Sequence, residues 1–181
     1  MTKSFFSATV LSLTLLSASL LAAGSRRGPV WQFGTVMYPV RQISVTGESS
    51  ERHSSGVGRS ILVGYGITPK LLVLAEFEHS TLRSKVLGNS RAFYDFTGLT
   101  AQRYLSGSLN RMYVTAGLGA LSLYVADDDY SSVGPAFLVG GGYEFVEHAE
   151  VAVRYTYGRT KYLGDNVSHQ LLSFVISAKV Y

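Results

Sequence analysis

Residues 58–79, GRSILVGYGITPKLLVLAEFEH, hold two alternating apolar runs around a turn. Ile61, Val63, Tyr65 and Ile67 share one parity, as do Leu71, Val73, Ala75 and Phe77. Thr68-Pro69-Lys70 separates the runs. The other parity carries Gly64 and Gly66, then Glu76 and Glu78. Successive side chains of a strand point to opposite faces. The segment therefore reads as a hairpin with one oily face and one face of glycines and carboxylates. In a soluble sandwich the oily face would be the core side. In a bilayer it would face lipid, with the carboxylates inside a small closed barrel. The rest of the chain decides between the two.

The same pattern recurs. From residue 25 on there is no helical periodicity, only short alternating runs bounded by turn residues, which argues for an all-β chain. The runs are Val30 to Val40, 58–67, 71–80, Phe93 to Leu105, Arg111 to Tyr124, Gly134 to Phe145, Ala149 to Tyr157 and Ser168 to Tyr181. Connections at 68–70, 106–110 and 146–148 are short. Those at 41–56, 81–91, 126–133 and 158–167 are longer and polar. Short periplasmic turns alternating with longer extracellular loops are the pattern of outer-membrane barrels. The expected fold is an eight-stranded antiparallel up-and-down transmembrane β-barrel, placed in the outer membrane of a Gram-negative-type envelope.

Composition fits. Of 181 residues, 46% are hydrophobic and only 15% charged, below the roughly 25% of soluble domains. Residues 1–24 read as a signal peptide, with Lys3, the apolar stretch Phe5 to Leu21, and Ala22-Ala23-Gly24 before a cleavage point. An uncleaved anchor is the alternative reading of that segment. Residues 25–181 form the barrel domain, and no later run of 18 apolar residues offers a membrane helix. There are no cysteines, which removes disulfide stapling, thiol catalysis and thiolate metal sites. The net charge of +4 is mild, and no basic stripe accompanies a recognition helix, so nucleic acid is not an expected partner.

An open sheet in lipid would strand its edge groups at several kcal/mol each, so only closed barrels span. Eight strands enclose a space that side chains can fill. The inward parity is expected to carry an ionic network of Glu76, Glu78, Asp95, Arg103, Glu144, Glu150, Arg154 and Lys179. Gly64, Gly66, Gly117 and Gly119 would leave room for the longer arms. Tyr38, Tyr65, Tyr94, Tyr104, Tyr143, Tyr155 and Tyr157 fall near strand ends, where aromatic girdles belong. The rival is a soluble, periplasmic lipocalin-like binder with the apolar parity inside.

Five segments carry a further resemblance: Gly64-Tyr65-Gly66-Ile67-Thr68-Pro69-Lys70-Leu71, Glu76-Phe77-Glu78, Ala116-Gly117-Leu118-Gly119-Ala120, Gly141-Gly142-Tyr143-Glu144-Phe145 and Val153-Arg154-Tyr155-Thr156-Tyr157. In order and spacing they resemble the eight-stranded outer-membrane barrels of the OmpA-like and opacity-protein type. The resemblance spans essentially the whole chain after the leader. It implies a monomer in contact with outer-membrane lipid and lipopolysaccharide, inserted by the outer-membrane assembly machinery. Such barrels usually end in an aromatic residue with apolar residues two, four and six positions earlier. Tyr181 fits that signal, whereas Lys179 and Ser177 depart from it.

No catalytic, cofactor or metal site emerges. His53, His79, His148 and His169 lack metal-ligand spacing, and adjacent Ser168 and His169 would point to opposite faces of a strand. Lipid A deacylases form one family of eight-stranded barrel enzymes. Their His-x-Ser-Asn element is replaced here by Tyr155-Thr156-Tyr157-Gly158-Arg159. Asp127-Asp128-Asp129 reads as a hard-cation loop or as a solvated acidic one. At the outer end, Arg41 and Arg52 join Arg59, Arg83, Lys85, Arg91, Arg159 and Lys161. These basic residues either form a rim that contacts lipopolysaccharide phosphates or a surface polyanion, or are ordinary solvated charges. A lumen packed with paired charges would conduct little.

Overall fold

The computed structural model describes residues 26–45, 51–53, 56–84, 90–105, 111–125, 130–162 and 164–181. Signal segment 1–24, Lys85 and the aspartates 127–129 lie outside the described residues. The strands are β1 (Gly28–Val45), β2 (Glu51–His53), β3 (Val57–Thr68), β4 (Leu71–Ser84), β5 (Ser90–Tyr104), β6 (Met112–Val125), β7 (Tyr130–Val146), β8 (Ala149–Tyr162) and β9 (Asp165–Val180). Neighbours in sequence pair antiparallel, and β1 also pairs with β9, which closes the sheet.

The three-residue β2 is not a ninth stave. Met37 of β1 faces Val57 of β3, and Arg41 faces His53 of β2, so one ladder continues across the break. Tyr38 N–H donates to Gly56 C=O at 3.0 Å inside that break. The ring therefore has eight staves, with β2 as the upper part of β3. Pro39, which has no N–H to give, sits where the β1–β9 register shifts between Met37 and Val40.

One expectation is corrected at the far end. Among the described residues of the stretches 41–56, 81–91, 126–133 and 158–167, residues 41–45, 51–53, 81–84, 90–91, 130–133, 158–162 and 165–167 are paired strand. β4 runs on to Ser84, β7 starts at Tyr130, and β8 and β9 are joined through residues 163–164. β1 is 18 residues long and β7 is 17, well past the roughly 9–11 needed to cross a bilayer. Each described polar extension keeps a paired neighbour on at least one side, as 82–84 of β4 do with β5 and 159–162 of β8 with β9, so the ladder persists beyond the oily zone.

The oily parity faces outward. Trp31, Phe33, Ile61, Phe77, Leu99, Leu118, Phe137, Phe174 and Ile176 are all exposed, Leu118 at 73%. The inward face mixes ions with hydrocarbon. Glu76 and Arg154 are at 0%, beside Val30, Leu62, Leu72 and Leu74 on the β1–β3–β4 wall. A soluble binder with the apolar parity inside does not fit this arrangement.

β5 departs from the expected side assignment. Tyr94, Phe96 and Tyr104 are buried inside, while Asp95 and Arg103 stand on the outer face. The register explains it: Leu99 faces Ala75 on β4 and Leu118 on β6, both outward, which fixes the odd positions of β5 as the lipid side. Tyr38 is also inside, so the aromatic girdle keeps Tyr65, Tyr143, Tyr155 and Tyr157 but loses Tyr38, Tyr94 and Tyr104. Glycines make room for the inner rings. A Cβ on Gly142 would lie 2.4 Å from the Tyr113 ring, and one on Gly98 would lie 2.9 Å from the Phe96 ring.

Candidate functional site

The lumen is filled in layers. In the middle, Arg154 of β8 reaches Glu76 of β4, and Thr100 Oγ1 donates to the same carboxylate at 2.7 Å. Both ions are shut off from solvent, so the pair replaces water for each partner. Gly140, beside Arg154 in the ladder, leaves space for the arginine stem.

Below it, Lys179 is the hub. Its Nζ lies 2.5 Å from Glu150, 3.1 Å from Gln102 Oε1 and 2.9 Å from the Tyr104 hydroxyl. Glu150 also accepts from Gln32 at 2.6 Å, Tyr113 at 2.7 Å and Ser177 at 3.0 Å. A carboxylate with this many donors is well compensated for burial.

The mouth on the short-turn side is closed by Arg26, Glu144, Tyr104 and Tyr181. Arg26 Nη2 lies 2.7 Å from Glu144, and its guanidinium sits 3.9 Å from the Tyr104 ring centroid. The Tyr181 hydroxyl donates to Glu144 at 2.7 Å. Burial, with Tyr104 and Glu144 beside it, pushes the Tyr181 phenol up, so it remains a donor. Tyr181 thus points into the lumen, and the outward residues of β9 are Phe174, Ile176, Ala178 and Val180. That places the one-residue displacement of the terminal pattern in the strand's own parity. Toward the other end, Tyr38 bonds Glu78, and His169 meets Thr160 at 2.8 Å.

Six of the eight residues expected in the interior line this lumen: Glu76, Glu78, Glu144, Glu150, Arg154 and Lys179. Asp95 and Arg103 do not. Asp95 lies 2.5 Å from His79 on the outer wall, with side chains 48% and 60% exposed. An exposed pair of this kind contributes little to stability. Sequence reasoning missed the polar bridges Gln32, Gln102, Tyr104 and Tyr113. Gln32 and Tyr113 were legible only as inward-parity positions, while Gln102 and Tyr104 stand on the parity of β5 expected to face lipid.

At the extracellular end Arg59, Arg159 and Lys161 are exposed. Arg159 Nε donates to the Tyr157 hydroxyl at 2.7 Å. In the β4–β5 ladder Arg83 stands directly across from Arg91. Among the described residues no cluster of three His, Cys, Asp or Glu could hold a metal ion. Ser168 and His169 lie on opposite faces of β9, the histidine inside.

No protein-family model and no curated protein matches the chain. Solved structures do. Neisserial surface protein A aligns over 83% of this chain and 96% of its own, at 16% identity and a TM-score of 0.56. Ail, the attachment invasion locus protein of Yersinia pestis, aligns over 83% and 99%, at 12% identity and a TM-score of 0.55. Ail in complex with the heparin analogue sucrose octasulfate gives a TM-score of 0.52 at 12% identity. At such identities the likeness is one of fold. The fold is that of the eight-stranded outer-membrane barrels of OmpA-like type, and the oily outer belt matches a chain resident in that membrane.

Proposed function

We propose that this outer-membrane barrel is a non-catalytic surface protein whose extracellular rim binds polyanions. These are lipopolysaccharide phosphates of its own leaflet and anionic surface polymers. The observation that carries the reading is the direct opposition of Arg83 and Arg91 on adjacent strands. Like charges directly opposite across a ladder are destabilising, and an anion shared between them would relieve that repulsion. Guanidinium groups recognise sulfate and phosphate through paired donors. Arg59, Arg159, Lys161 and Lys85 would extend the same electropositive rim. The capture of a sulfated sugar by Ail, a barrel of the same fold, supports this ligand class. The barrel wall serves as the rigid stand: it is closed, internally cross-linked by ion pairs, and works as a monomer inserted by the outer-membrane assembly machinery.

The test is binding of heparin and of lipopolysaccharide to the detergent-purified protein, with Arg83, Lys85 and Arg91 replaced by Ala. Binding should weaken several-fold and fall steeply as salt rises, because exposed charges are screened beyond about 10 Å at 0.1 M. Unchanged binding in the triple variant defeats the proposal. Loss of an acyl chain from lipid A in expressing cells would defeat its non-catalytic part.

A further inference from the structure

Inward positions of β5 to β9 line up in one ladder row: Gln102, Thr115, Gly140, Arg154 and Ser173. Only Gln102 and Arg154 are long, and Gly140 sends no side chain into the lumen between Thr115 and Arg154. The arginine stem leans over that gap: a Cβ on Gly140 would lie 3.1 Å from Arg154 Cγ. Its head ends at Glu76 and spends Nη1 on that pair. Thr100, which donates to the same carboxylate, is the next inward position along β5 from Gln102. The guanidinium is thus carried to the stretch of wall that Gln102 and Thr115 occupy. Gln102 is oriented from its other side. Lys179 can only donate, so the amide oxygen must face it, at 3.1 Å, and the NH2 group must face away. Among the described residues no protein partner reaches that NH2, the Thr115 hydroxyl, or Nε and Nη2 of Arg154. All three residues are buried.

Buried polar groups without a protein partner are rare, and a buried water, making about three hydrogen bonds, is what usually serves them. The chemistry of this set fits water. The nitrogen groups only donate, and the hydroxyl can accept. One water oxygen takes a hydrogen bond from Arg154 and one from Gln102, and gives one to Thr115 Oγ1. An anion would suit the donors but not the surroundings. Among the described lumen ions the acids Glu76, Glu78, Glu144 and Glu150 outnumber Arg26, Arg154 and Lys179. We infer that a structural water is bound between Gln102, Thr115 and Arg154, and that it joins the Glu76–Arg154 pair to the Lys179 hub in one network. Thr115 and Gln102 are then positioning residues, which hold the Arg154 head through the water. The site lies inside the barrel and does not depend on polyanion binding at the rim.

The experiment pairs a high-resolution crystal structure of the intact, detergent-purified protein, grown with bromide, with urea unfolding of variants in lipid vesicles. The crystals should show a water within hydrogen-bond reach of all three residues and no bromide signal there. Thr115→Val keeps the shape of the side chain and removes the hydroxyl. It should lower the folded-to-unfolded ratio about tenfold, because the water loses an acceptor. In the Arg154→Met/Glu76→Leu background the same change should cost much less, because the water has already lost its arginine donor. Heat-modifiable gel migration checks that every variant is folded. A dry site in the crystal, or a bromide ion in it, overturns the proposal. So does a Thr115→Val protein as stable as wild type or more so, the result expected of a hydroxyl that bonds nothing. An equal loss in the two backgrounds overturns it as well.

Discussion

Arg154 and Glu76 meet across the lumen from β8 and β4, 78 positions apart in sequence, and neither has any contact with solvent. Removing one partner leaves a buried, uncompensated charge. Replacing both with hydrocarbon removes that penalty. Arg154→Met should therefore destabilise the barrel by about 3–5 kcal/mol, and Arg154→Met/Glu76→Leu by much less. Urea unfolding in lipid vesicles, followed by gel migration, measures both. A double variant as unstable as the single one would contradict the pairing.

Gly142 is needed for space on the inner face. Alanine there would put a methyl carbon 2.4 Å from the Tyr113 ring, whose hydroxyl donates to Glu150 at 2.7 Å. Overpacking of this kind costs about 1–3 kcal/mol. Gly142→Ala should lower the unfolding midpoint, and Tyr113→Ala in the same chain should recover part of the steric share. Midpoints from the same vesicle assay decide it. No loss in Gly142→Ala would mean that the ring has freedom the packing denies it.

Depth along the outer wall should be readable from charge. Leu118 stands mid-strand on the oily face, whereas Arg103 sits at its edge. Leu118→Arg should cost about 2–4 kcal/mol, and Ala101→Arg, nearer the interface, less. Equal costs, or none, would argue that this wall meets water.

Trp31 is the single tryptophan and lies 48% exposed on the outer face of β1. In vesicles of lipid brominated along the acyl chain its fluorescence should be strongly quenched. Water-soluble iodide should quench it weakly. The reverse pattern would return the apolar parity to a soluble interior.

Much of this was legible in residue order. Period-two alternation in Ile61 to Ile67 and Val73 to Phe77 carries the fold, because a one-residue slip would exchange lipid and lumen for every side chain at once. β5 was misread because both of its faces hold aromatic groups. Only the ladder to Ala75 and Leu118 shows which face is oily, and a ladder is not written in the strand itself. Size also misled: Tyr94, Phe96 and Tyr104 fill the small bore, and Gly98 of the same strand leaves room for the Phe96 ring. The outer extensions, rich in Ser, Arg and Gly, looked like loops. Their strand character comes from paired neighbours and not from their own preference.

The β1–β9 closure bears on how the protein reaches its membrane. Lys179 belongs to the last stave, and the groups that neutralise it come from β5 and β8. Until the two edge strands join, its ammonium and the Arg154 guanidinium would meet hydrocarbon through the open side. Entry into the bilayer and sealing of the cylinder must then proceed together, and a half-inserted sheet is a state this chain is built to avoid.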